Sequence, residues 1–105
     1  MIVACCTIRF HLHGNRSLKE KRRVANGVRD RLKNKFNVSI AEVDDQDRWQ
    51  SLRLGFAAVG SDAKYLEGLM EKLLHAVEVM NLAEVTGHEV RLVHLTDSDR
   101  EAGLL

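Results

Sequence analysis

Proline is absent from these 105 residues, so no turn is fixed by a cis prolyl bond. Aromatic residues make up only 5% of the chain: one Trp, one Tyr and three Phe. The two cysteines, Cys5 and Cys6, are adjacent in sequence. Neighbours on a strand point to opposite faces, so two free thiols are expected. No CxxC pair exists, which excludes that kind of redox or zinc site. No apolar run reaches the roughly 18 residues of a membrane span. Met1-Ile2-Val3-Ala4 lacks the charged region and cleavage site of a signal peptide, so a cytoplasmic protein is expected. There are no internal repeats and no low-complexity stretches.

What is present is a single domain's worth of chain, 45% apolar, able to bury a real core without metal or disulfide. The formal charge of +1 conceals a strong asymmetry. Residues 16–35 hold nine Lys and Arg against Glu20 and Asp30, which leaves +7; elsewhere seven bases face thirteen acids, which leaves −6. A basic element on an acidic body commonly meets a polyanion or an acidic surface. The bland alternative is a solvated face laced with ion pairs.

Residues 2–13 alternate strictly. Ile2, Ala4, Cys6, Ile8, Phe10 and Leu12 share one face, and Val3, Cys5, Thr7, Arg9, His11 and His13 the other. Gly14-Asn15 ends this strand. Ser17-Leu18-Lys19-Glu20 reads as a capping box opening a helix that runs to about Phe36. Leu18, Val24, Ala25, Val28, Leu32 and Phe36 form its apolar stripe. Lys19, Arg22, Arg23, Arg29 and Lys33 fall opposite. Lys21 projects within the apolar stripe, its stem on the core and its amine expected to reach past an edge.

Residues 38–43 make a second strand, and Asp44-Asp45-Gln46-Asp47 is turn chemistry. A third strand follows over residues 52–59. Ser61-Asp62 caps a helix over residues 63–80, and residues 85–95 close with a fourth strand. The order β-α-β-β-α-β predicts a ferredoxin-like α/β (α+β) sandwich over residues 1–95. Its antiparallel four-stranded sheet has order 4-1-3-2, with both helices on one face and a polar tail over residues 96–105.

Two stretches resemble a known family. Arg16-Ser17-Leu18-Lys19-Glu20-Lys21-Arg22-Arg23 is similar to the first-helix opening of the YlxP-like family. Phe36-Asn37-Val38-Ser39-Ile40-Ala41-Glu42-Val43-Asp44, followed by Gln46-Asp47 and Trp49-Gln50, is similar to its second-strand stretch. The resemblance extends from Met1 to about Leu95. It implies a small bacterial ferredoxin-like protein with no established activity, whose genes often neighbour those of translation initiation and ribosome-binding factors. His11-Leu12-His13-Gly14 departs from a strand end that often contains proline in the family, and the tail after Leu95 is longer. The family assigns no roles to particular residues.

The topology predicts one polar rim, gathering His11, His13, Arg16, Lys21, Asp44, Asp45, Asp47, Trp49 and Gln50. A structural network is the first reading of such a cluster; a small-ligand pocket or acid/base site is the sharper one. His11-x-His13 could hold a metal only with a third ligand, so neither a metal nor another cofactor is expected. His75, His88 and His94 read as ordinary residues.

Along the first helix, Arg16, Lys19, Arg22, Arg23, Arg29 and Lys33 supply a cation track for phosphates. The sheet's phenylalanines face the helices and no G-x-x-G occurs, so base readout of the RNA-recognition-motif or KH type is excluded. An acylphosphatase's phosphate loop and a metallochaperone's CxxC are likewise missing.

The leading expectation is a non-enzymatic accessory protein on structured RNA, ribosomal in the first place. The alternative is a homo-oligomer through the open sheet face (Val3, Cys5, Ala57, Val59), with the basic helix docking an acidic partner. A small-molecule enzyme using the rim ranks third.

Overall fold

A computed structural model describes residues 1–44 and 48–96. Its elements are β1 (Ile2–His11), α1 (Leu18–Lys33), β2 (Ser39–Asp44), β3 (Ser51–Gly60), α2 (Ala63–Met80) and β4 (Glu84–His94). The four strands form one sheet of order β2-β3-β1-β4, with every neighbouring pair antiparallel. Reversed, this is the expected 4-1-3-2. Residues 45–47 and 97–105, including Asp45, Asp47 and nearly all of the expected tail, lie outside the described residues.

The alternation of β1 becomes its burial pattern. Ile2, Ala4, Cys6, Ile8 and Phe10 are buried under the helices. They meet Leu52, Leu54, Phe56 and Ala58 of β3, and Ala25, Val28, Leu32, Leu66, Met70, Leu73 and Val77 from the two helices. Phe10 and Phe56 are 1% and 3% exposed, so the other sheet face carries no phenylalanine among the described residues. Burial also pushes the Cys6 thiol up from 9.0 to about 11, while Cys5 stands exposed on the open face.

The helix caps form as their residue types dictate. Ser17 Oγ accepts the Glu20 N–H at 3.2 Å, and the Glu20 carboxylate accepts the Arg16 N–H at 2.8 Å, one residue earlier than in the usual reciprocal box. Asp62 caps α2, accepting from Lys64 and Tyr65 N–H at 3.0 and 3.4 Å. α1 ends at Lys33, not Phe36. The chain tightens after Leu32, whose carbonyl accepts both the Lys35 and the Phe36 N–H. Phe36 still packs against the core from beyond the helix.

Two irregularities shape the sheet. β1 and β4 shift register between Arg9 and Phe10, leaving Thr86 as the extra residue; its hydroxyl donates to the Arg9 carbonyl at 3.3 Å. β2 shifts against β3 between Glu42 and Asp44, so Val43 is the extra residue. Gly55 makes room for it: a Cβ there would lie 2.7 Å from Val43 Cγ1. Beyond this bulge Asp44 sits opposite Arg53 and accepts from its guanidinium at 3.3 Å, while Glu42 remains on the helix side.

Candidate functional site

Three surfaces carry the residues that the sequence singled out: the rim, the outer face of α1 and the open sheet face.

The rim assembles at the expected end of the sheet. β2 runs in the same direction as β1, so the β2–β3 turn lies beside the start of α1. The Leu12 N–H donates to the Gln50 carbonyl and the Asn15 amide to the Trp49 carbonyl, both at 2.9 Å. His11 and His13 stack edge to face with ring centroids 4.2 Å apart. His11, Arg48, Trp49, Gln50 and Ser51 line a shallow concavity of about 440 Å³ there.

Lys21 corrects the sequence reading. Its amine does not reach past an edge; the whole side chain is 2% exposed. The ammonium donates to the Arg48 carbonyl at 2.8 Å and sits 3.2 Å from Glu42 Oε1. It therefore ties α1 to β2 through Glu42 and to the connection leading into β3 through Arg48. A carbonyl and a carboxylate together compensate the cost of burying a charge.

The other described rim groups are engaged as well. His13 Nε2 pairs with Glu84, and Asp44 pairs with Arg53 rather than with Arg16 or Lys21. Arg16 meets the cap through its backbone only, and Trp49 is 52% exposed. No group of three His, Cys, Asp or Glu able to hold a metal ion occurs among the described residues.

Along α1, Lys19, Arg22, Arg23 and Lys33 are exposed and Arg29 is half-buried. At 1.5 Å per residue the track from Lys19 to Lys33 is about 21 Å long. Of the helix's cations, Lys21 alone forms an ion pair among the described residues. Among the described residues, the face is thus not laced with internal ion pairs. Arg29 Nε is buried with no hydrogen-bond partner.

On the open face, cross-strand register lines up Val93, Val3 and Val59 in one row across three strands. Val59 is 67% and Val93 48% exposed. Next come Cys5, Ala57 and Ser39 beside Arg91, then Thr7 and Gly55 beside Glu89, with Arg91 and Glu89 paired at 2.7 Å, then Arg9 directly opposite Arg53.

These features define a small ferredoxin-like α/β sandwich with a basic helix outside and, opposite, a sheet face that is apolar at its valine row and charged beyond it. The chain belongs to the family described as "Protein of unknown function (DUF503)", whose model matches residues 3–90. It is 44% identical over 62 residues to the uncharacterized protein YlxP of Bacillus subtilis (strain 168), covering 59% of this chain and 67% of that one. Among solved structures it is similar to the de novo designed protein Foldit4, with a TM-score of 0.51, 17% identity, and 90% and 98% of the two chains covered. It also aligns with SnoaB, a cofactor-independent oxygenase from Streptomyces nogalater, with a TM-score of 0.48, 17% identity, and 89% and 92% covered. At these identities Foldit4 bears on the fold alone, and the weaker SnoaB match carries no argument.

Proposed function

We propose that this protein is a non-enzymatic accessory factor that contacts structured RNA, ribosomal RNA foremost, through the outer face of α1. The observation that carries the reading is the row Lys19, Arg22, Arg23 and Lys33, exposed and without acidic partners among the described residues. Unpaired cations on a rigid helix are ready to displace counterions from a phosphate backbone. With Phe10 and Phe56 turned to the helices and no phenylalanine on the open sheet face among the described residues, recognition runs through backbone and shape rather than base edges.

The test is binding of the pure protein to small ribosomal subunits across a salt series. Arg22→Glu, Arg23→Glu, Lys33→Glu serves as the charge-reversed control. Four or five phosphate contacts give a log–log slope of about −3 to −4 with the single-strand coefficient. That slope should vanish in the control while the circular dichroism spectrum stays unchanged. Equal binding by the control, or none by the wild type at low salt, refutes the reading.

The open sheet face favours a second reading, association with another copy of the chain. Strands of 10, 6, 10 and 11 residues, about 4.8 Å apart, present roughly 600 Å² per copy, or about 1,200 Å² in a face-to-face pair. That is the low end of specific interfaces. Charge does not oppose the pairing on the β4 edge: Arg91 and Glu89, two positions apart on the same face, neutralise each other at 2.7 Å. The basic helices then remain outside and can dock an acidic protein. Sedimentation at tens of micromolar should show a dimer that Val59→Asp dissociates; a wild-type monomer excludes it.

A further inference from the structure

A cleft of about 580 Å³ lies between the end of α1 and the C-terminal half of α2. Arg31 and Lys35 form one wall and Lys72 and His75 the other, with the half-buried Ala76 and Met80 as the apolar floor and the exposed Val79 at its edge. No carboxylate lines it, and none of the four basic residues forms an ion pair among the described residues. Basic side chains at the end of α1 are explained in part by the helix dipole. That account does not reach Lys72 and His75. They stand one helical turn apart on α2 and form a single ridge with Val79, which is 67% exposed. Cations on both walls above an apolar floor match a ligand that is anionic at one end and flat and weakly polar at the other. The size is within the range of small-molecule sites.

We infer that this cleft holds one nucleotide. Arg31, Lys35 and Lys72 take the phosphate, the base lies on Val79 and Met80, and His75 offers a hydrogen-bonding edge. The nucleotide is either a free mononucleotide or an unpaired residue of an RNA strand; the second case rests on the RNA reading above. The floor is aliphatic rather than aromatic, so the base contributes modestly. Closing the cleft should weaken binding of single-stranded RNA about 3- to 10-fold, the low end of what one stacked base supplies.

The experiment follows assigned backbone amides of the full chain during titration with AMP, with UMP, with a single-stranded RNA pentamer and with a blunt RNA duplex. Lys72→Glu and Val79→Ser alter exposed side chains and are compared with Arg22→Glu, Arg23→Glu. Shifts centred on residues 72–80 and 31–35 with the mononucleotides, and competition of AMP with the pentamer there, identify a free-nucleotide site. Cleft shifts with the pentamer alone, lost in Val79→Ser, assign the cleft to an unpaired RNA residue. If both RNAs shift only residues 19–33 of the outer stripe, and the cleft variants bind as wild type does, the nucleotide site is refuted and the RNA reading stands. If AMP fills the cleft but neither RNA binds, the RNA reading falls and the site stands. Silence in every titration refutes both.

Discussion

Replacing Lys21 by Met should destabilise the fold by about 2–4 kcal/mol. The thioether keeps most of the buried stem, so little packing is lost. What disappears is the charge-assisted bond to the Arg48 carbonyl at 2.8 Å and the ion pair with Glu42 at 3.2 Å. A hydrogen bond from a charged group contributes about 1.5–3 kcal/mol. Glu42 is left facing an apolar side chain, but its own side chain is 26% exposed, so water recovers part of its solvation. That keeps the loss below the roughly 3–5 kcal/mol of a wholly stranded buried charge. For a domain of this size the melting midpoint should fall by about 10–20 °C.

The assay is urea unfolding of four proteins: wild type, Lys21→Met, Glu42→Leu and the double variant. Removing both charges removes the stranded partner, so the double variant should regain at least half of the loss in Lys21→Met, since buried ion pairs are often replaced by apolar pairs at little cost. Proteolysis or amide exchange should show the β2–β3 segment opening first in Lys21→Met. A single variant within about 0.5 kcal/mol of wild type would refute the argument. So would a double variant whose loss equals the sum of the singles, because the two groups would then be uncoupled.

Three further outcomes follow from neighbouring observations. Cys6 has a thiol raised to about 11 from 9.0 by burial, so the folded state holds its proton where the unfolded state releases it; stability should fall between about pH 9 and 11 by about 2–3 kcal/mol, and denaturation at pH 8 and 10.5 should show that slope diminished in Cys6→Ala. Asp62→Ala removes the acceptor of two N–H groups at the start of α2 and should cost about 1 kcal/mol in urea unfolding. Glu84→Gln breaks the His13 pair, which is solvent-exposed on both sides, and thermal melts should place its effect below about 0.5 kcal/mol.

The fold was legible because every element carries its period. The alternation from Ile2 to Leu12 reads directly as burial, and α2 begins and ends where Asp62 and Met80 place it. The α1 stripe exposed one inconsistent residue, Lys21, and its misfit was informative. What could not be read was where the amine goes, because its acceptors, Glu42 and Arg48, come from segments more than twenty residues away. The bulge at Val43 was hidden for the same reason: Gly55 signals that something approaches, but only the pairing of two strands says what. The cleft between the helices was missed because charge was counted one helix at a time. Lys72 and His75 look unremarkable beside Glu67, Glu71 and Glu78 of the same helix, and become a wall only when α2 is laid against Arg31 and Lys35.

The two proposed surfaces constrain each other. Helices and open sheet face occupy opposite sides of one sandwich. A pair joined through the sheets therefore points its two α1 faces outward and away from each other. Such a dimer cannot lay both basic helices on one flat RNA surface. Each copy engages a separate segment, so the salt slope per protein chain should be the same for the wild type and for monomeric Val59→Asp. Affinity for a single site should also match, and only an RNA able to reach both ends should discriminate between them through effective concentration. If Val59→Asp instead loses affinity for a short RNA, the open face itself meets the RNA, with Arg9 and Arg53 as the cations in reach. The unpartnered valine row would then belong to the RNA interface rather than to a second copy.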